Sequence, residues 1–217
     1  MDKIDSICVL VDNESWILPF ARELIDWCHK HGYDAKLISE QSELAQSDIT
    51  FLLGCVHMVT PENLAKARLN LVAHESDLPH GKGFAPIAWQ ILEGKNEIPV
   101  CLIEATQQAD SGRIWLKDKI ELRGTELCDE WRQLQGEATI RICQRFLLEY
   151  PTLIPKEQSG ASHSYPRRNP GDSELNPDKS LSEQFELLRI VDNQRYPAFF
   201  KLRGKQYKIE ITEYDPD

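Results

Sequence analysis

The chain has 217 residues and a formal net charge of -10, with 25 Lys and Arg against 35 Asp and Glu. That length fits one domain, or one domain with an appendage, and is enough to bury a sizeable core. The acidic balance argues against a nucleic-acid partner held by phosphate contacts, and no apolar run is long enough to span a bilayer.

Residues 7–11 form an apolar run suited to a buried strand. Ser15 is placed to cap the next helix, where Ile17, Leu18, Phe20, Ala21, Leu24, Ile25 and Cys28 recur at helical spacing until Gly32 ends the run. Residues 35–38 and 49–53 read as the second and third strands, the latter followed by Gly54-Cys55. Pro61 opens a short helix through Ala67, and residues 69–74 are the fourth strand. Residues 86–92 are a helix closed by Gly94, and 98–105 and 113–122 give two more strands. Thr125 is placed to cap a long helix to about Tyr150, weakened at Gly136. The early β-α-β alternation predicts an α/β fold with a mostly parallel, doubly wound sheet.

Composition shifts after Pro151. Residues 151–180 are rich in Pro, Ser, Gly, Asn and charge and read as a long loop. Residues 182–190 read as a short helix, and 198–202 with 205–212 as a hairpin around Arg203-Gly204. The division is therefore a core at 1–150 and an appendage at 151–217. The hairpin could offer an edge to a second copy of the chain, a homodimer. The six cysteines contain no C-x-x-C pair and no zinc-ligand spacing, so no metal is expected. They read as free thiols of a cytoplasmic protein, and the start Met-Asp-Lys-Ile-Asp does not read as a signal peptide.

Chemistry concentrates at two points. His74 ends an apolar run and leads into Glu75-Ser76-Asp77-Leu78-Pro79 and Gly83, and Asp110-Ser111-Gly112 follows a second apolar run. Two strand ends, one offering His and the other Asp, suggest a His–carboxylate pair that fixes an imidazole and tunes its proton affinity.

The string His74-x-Ser76-x-Leu78-Pro79-x-x-x-Gly83, then Ala85-Pro86 and the helix to Gly94, resembles the folate-dependent formyltransferases, and Asp110-Ser111-Gly112 resembles their Asp-Thr-Gly loop. Arg167 to Asp172, Leu188 to Asn193 and Tyr196 to Phe200 resemble the sugar-nucleotide branch of that family, including enzymes of pseudaminic-acid-type surface polysaccharide pathways. The resemblance implies the formyltransferase fold and transfer of a formyl group from N10-formyltetrahydrofolate to the amine of a nucleotide-linked, UDP-type 4-amino-4,6-dideoxy sugar. The tail is read as too short for the added domain of the tRNA-directed enzymes. Another amine acceptor, or a binder without catalysis, are the alternatives.

Roles follow from the resemblance. His74 is the proton acceptor and electrostatic stabiliser, and Asp110 positions it. The family carries Asn two residues before the His, where this chain has Val72. Asn70 lies on the same strand face roughly 6–7 Å further back, so it replaces that Asn only through a bulge or a shifted strand. Otherwise the oxyanion falls to His74 with a water or a backbone N–H. The family's Asp-x-Gly before the Asp loop is also absent, with Thr106 and Gln108 in its place. The folate is expected at Leu53, Gly54 and Cys55 and along the loop through Glu104, Thr106 and Asp110. The sugar nucleotide is expected at Glu75, Ser76, His80 and Lys82, with Lys82 meeting phosphate.

Overall fold

The computed structural model describes residues 3–215; Met1, Asp2, Pro216 and Asp217, and with them the first two positions of the start read above, lie outside the described residues. In β1 (Ser6–Leu10), Cys8 and Leu10 turn to one face and Ile7 and Val9 to the other, and all four are buried. A strand apolar on both faces belongs inside a covered parallel sheet. Its neighbours β2 (Asp34–Ile38) and β3 (Ser47–Leu52) pair with it in parallel, and β4 (Ala67–His74) pairs in parallel with β3. Between β5 (Lys82–Gly83) and β7 (Ile114–Glu121) the chain forms β6 (Glu97–Glu104), which runs antiparallel to both β4 and β7. The sheet order is β2-β1-β3-β4-β6-β7, with β6 alone reversed. The sheet is thus mostly parallel, as the alternation predicts.

The winding is uneven. The helices α1 (Leu18–Lys30), α3 (Pro86–Leu92) and α4 (Cys128–Glu149) share one core with Ile7, Val9, Phe51, Leu71 and Leu102. The opposite face, with Cys8, Leu10, Ile38, Leu52 and Val72, is covered by loops and the single-turn α2 (Pro61–Leu64). That lightly covered face carries the site.

Two helix starts differ from the sequence reading. Ser15 contributes its carbonyl to the N–H of Leu18 rather than its hydroxyl as a cap. Thr125 does not cap α4. Glu130 accepts the Leu127 N–H at 2.8 Å, while the Glu126 carboxylate gathers the N–H groups of Arg123, Gly124 and Thr125. Gly136 is explained by packing: a Cβ there would lie 2.5 Å from ring atoms of Phe20, so α1 and α4 meet where only glycine fits.

After α4 the chain holds more regular structure than its composition announces. β8 (Ser164–Tyr165) pairs in parallel with β5, and β9 (Glu174–Leu175) joins β10 (Ala198–Leu202) in parallel. β10 and β11 (Lys205–Ile209) form the expected hairpin, ending three residues before the predicted limit. From α5 (Phe185–Ile190), Arg189 inserts fully buried against the core. Its Nε donates to the Glu126 carbonyl, its Nη2 lies 3.3 Å from Glu126 Oε2, and Trp131 Nε1 donates to its own carbonyl.

Candidate active site

His74 closes β4 and is only 5% exposed. Its Nδ1 lies 3.5 Å from Asp110 Oδ1 and its Nε2 lies 2.9 Å from the carbonyl of Gly81. A carbonyl only accepts, so Nε2 carries a proton, and Nδ1 faces a carboxylate. Both ring nitrogens thus face protein oxygens, Nε2 the Gly81 carbonyl and Nδ1 the Asp110 carboxylate.

The route that brings Asp110 there is indirect. Because β6 is reversed, Glu104 ends opposite Leu71, three residues before His74 and about 10 Å back along the strand. The 105–113 loop must fold back over the thinly covered face to reach the histidine. Asp110 then sits in the left-handed region at φ 50, and its Oδ2 accepts the N–H of Gly83 at 2.8 Å. Gly112 is required in this fold-back, since a Cβ would fall 1.9 Å from the Glu104 carbonyl oxygen. One carboxylate thus ties the histidine to the 81–83 loop.

Asn70 is not brought to the pair. β4 keeps its register from Asn70 opposite Thr50 to His74 opposite Cys101, without a bulge. The Asn70 amide donates to the Leu64 carbonyl at 2.8 Å. Val72, at the position where the family carries Asn, packs between the two apolar clusters of that face. Glu104 is likewise occupied: its carboxylate pairs with Arg113 and accepts from Trp115 Nε1, and its N–H donates to the Arg113 carbonyl. The Glu104 side chain and N–H are thus engaged within the protein.

Around Gly54, Leu53 is core, and Cys55 donates its thiol to the Leu10 carbonyl, burial pushing its pKa up to about 12. The backbone N–H groups of Val56 and His57 are taken by Asp12. Thr106 is exposed and closes a small turn onto the Gln108 carbonyl.

The expected sugar contacts divide. Glu75 turns to the helical side, where Gln135 of α4 donates to its carboxylate at 2.7 Å and Gln90 of α3 donates to its carbonyl. Burial pushes its carboxyl pKa up, against the opposing pull of His74 and Gln135. Ser76 is buried under Gly81. Neither is presented as a free sugar ligand. His80 is exposed and stacks on His163 at 4.6 Å between ring centroids. Lys82 lies on β5 without a carboxylate partner among the described residues.

Two residues of the site were missed by sequence reading. Gln158 donates from Nε2 to the carbonyls of Asp110 and Gly112, both at 2.9 Å, and the His163 carbonyl accepts the N–H groups of Gly81 and Lys82. Both sit in the stretch read as loop, where no periodicity marks them. Among the described residues no cluster of three or more His, Cys, Asp and Glu is arranged for a metal, and no helix is long and apolar enough to cross a membrane.

Residues 15–137, more than half of the chain, match the sequence pattern of the formyl transferase family, and the chain belongs to that family. A methionyl-tRNA formyltransferase of Malacoplasma penetrans (strain HF-2) is 29% identical over 141 residues, which are 63% of this chain and 43% of that protein. The matched region thus spans less than half of that relative. Methionyl-tRNA formyltransferase from Clostridium thermocellum superposes with a TM-score of 0.80 at 20% identity, covering 98% of this chain and 94% of that one. A sugar N-formyltransferase from Shewanella sp FDAARGOS_354 gives 0.71 at 13%, covering 98% and 99%. HypX from Aquifex aeolicus, solved in complex with tetrahydrofolic acid, gives 0.74 at 15%, covering 92% and 36%.

Proposed function

We propose that this chain transfers a formyl group from N10-formyltetrahydrofolate to the amino group of a nucleotide-linked, UDP-type 4-amino-4,6-dideoxy sugar. The observation that carries the reading is the His74–Asp110 pair, held at 3.5 Å within a chain of the formyl transferase family.

The residues present fit a folate in kind. Cys55, Leu64, Val72 and Ala105 make a partly exposed apolar strip, and the exposed loop residues 106–109 bring backbone donors and acceptors to its edge. A flat ring with a polar rim asks for that combination. When bound, the folate supplies the formyl carbon. His74, fixed between Asp110 and Gly81, holds positive potential where negative charge builds on the formyl oxygen. The Asp110 carboxylate keeps the ring oriented and takes the proton that the attacking amine gives up.

Lys82, without a carboxylate partner among the described residues, offers a point charge to a phosphate. The net charge of -10 disfavours a tRNA acceptor, whose affinity would rest on phosphate contacts. The resemblance of the 167–200 stretch to the sugar branch agrees with a nucleotide-linked amine. Side-by-side transfer assays with a UDP-linked 4-amino-4,6-dideoxy sugar and with methionyl-tRNA test the acceptor. Faster transfer to the sugar is expected, and formylation of methionyl-tRNA alone would reverse the reading.

A further inference from the structure

We infer that Gln158 is a positioning residue, which holds the Asp110 turn in place against His74 by gripping the carbonyls on both sides of Ser111. The inference rests on the assignment of His74 and Asp110 made above.

The geometry is specific to a primary amide. One nitrogen, Nε2, donates to Asp110 O and to Gly112 O, 2.9 Å from each, so the side chain straddles the turn. Glutamate has no proton to give, and an apolar side chain of the same length makes neither bond. Immediately before the first gripped carbonyl the backbone takes a left-handed step at Asp110, φ 50, a conformation uncommon for non-glycine residues. From that strained position the Asp110 carboxylate reaches both His74 Nδ1 and the Gly83 N–H.

Gln158 is itself held before it acts. Lys156 exchanges both backbone hydrogen bonds with Ile114 at 2.8 Å, and Ser164 and Tyr165 pair with Lys82 and Gly83. The 156–165 segment is thus a strap anchored on either side of Gln158. Through the His163 carbonyl it also fixes Gly81, the residue whose carbonyl meets His74 Nε2.

Stability alone gives no reason for an amide here. Its Oε1 is buried with no hydrogen-bond partner among the described residues. A stranded buried acceptor costs about as much as two ordinary hydrogen bonds return, so the net contribution to folding is near zero. What the amide does provide is a fixed turn.

The test compares wild type with Gln158→Met, which keeps length and volume without donors, and Gln158→Ala. Three readouts are taken: thermal stability, NMR of the Gly83 amide and His74 ring nitrogens, and single-turnover formyl transfer. Both variants are expected to fold with stability close to wild type. Gly83 amide exchange should rise about tenfold or more while Leu116 in β7 stays protected. The His74 ring nitrogen shifts should move, and the transfer rate should fall about tenfold or more. Folded variants whose Gly83 exchange and His74 shifts match wild type would overturn the inference. Failure of both variants to fold would overturn it too, since Gln158 would then serve the fold. The NMR arm needs no acceptor, so changed Gly83 and His74 signals in a chain that transfers no formyl group would uphold the geometry and reject the catalytic assignment instead.

Discussion

His74 Nδ1 and Asp110 Oδ1 lie 3.5 Å apart although β6, which leads to Asp110, runs antiparallel to the strand that ends at His74. The pair exists because the 105–113 loop doubles back over one face of the sheet. Asp110→Asn tests what the charge contributes. Asparagine accepts from the Gly83 N–H as aspartate does and tolerates the left-handed backbone, so the loop should persist. Transfer should fall by about 10²–10⁴, with the melting temperature near wild type. Unchanged turnover would remove Asp110 from the chemistry.

Gly136 gives a sign that helix propensity alone gets wrong. Replacing a mid-helix glycine by alanine normally stabilises by roughly 1 kcal/mol. Here the new Cβ would meet the Phe20 ring at 2.5 Å, and overpacking of that kind costs about 1–3 kcal/mol. Gly136→Ala should therefore lower stability in urea unfolding. An increase would mean that α1 and α4 pack less closely.

Glu126 predicts an acid limb. Burial by itself would raise its pKa, but hydrogen bonds from the backbone at Arg123 and Gly124 and from the Arg123 side chain bring it down from 4.5 to about 2. A carboxylate lowered in the folded state adds stability that is present above its unfolded pKa and lost as pH falls through the folded one. That stability, on the order of 3 kcal/mol, should disappear between about pH 4.5 and 2. Unfolding free energies measured across that range should show a slope that Glu126→Gln flattens. An identical slope in the variant would assign the acid limb to other carboxylates.

Lys82 is expected to act on binding more than on rate. Lys82→Ala should raise KM for a phosphate-bearing acceptor about tenfold and leave kcat within a few fold, because a contact to a remote phosphate is the same in ground and transition states. A fall in kcat with constant KM would place Lys82 at the reacting atoms.

The strands, the long helices and the His–Asp pair were legible because each leaves a local mark. Those marks are the two-faced apolar run at Ile7–Leu10, the helical spacing from Ile17 to Cys28, and a histidine and an aspartate after apolar runs. The reversal of β6 left no mark, since a buried strand reads alike in either direction. Capping was misplaced at Ser15 and Thr125 because a hydroxyl near a helix start does not say whether its side chain or its carbonyl is used. Glu75 and Glu104 looked like free ligands in the chain and are held by Gln135 and by Arg113, distant partners that only the folded sheet brings near. Gln158 was invisible for the same reason, being 48 residues from the carbonyl it grips.

Mass spectrometry of nucleotide-linked amino sugars incubated with the protein and N10-formyltetrahydrofolate reads formyl transfer on the acceptor itself. A formyl increment is expected on a UDP-linked 4-amino-4,6-dideoxy sugar, and it should be lost with His74→Ala. No increment on any sugar nucleotide, or an increment that survives His74→Ala, would contradict the proposed function.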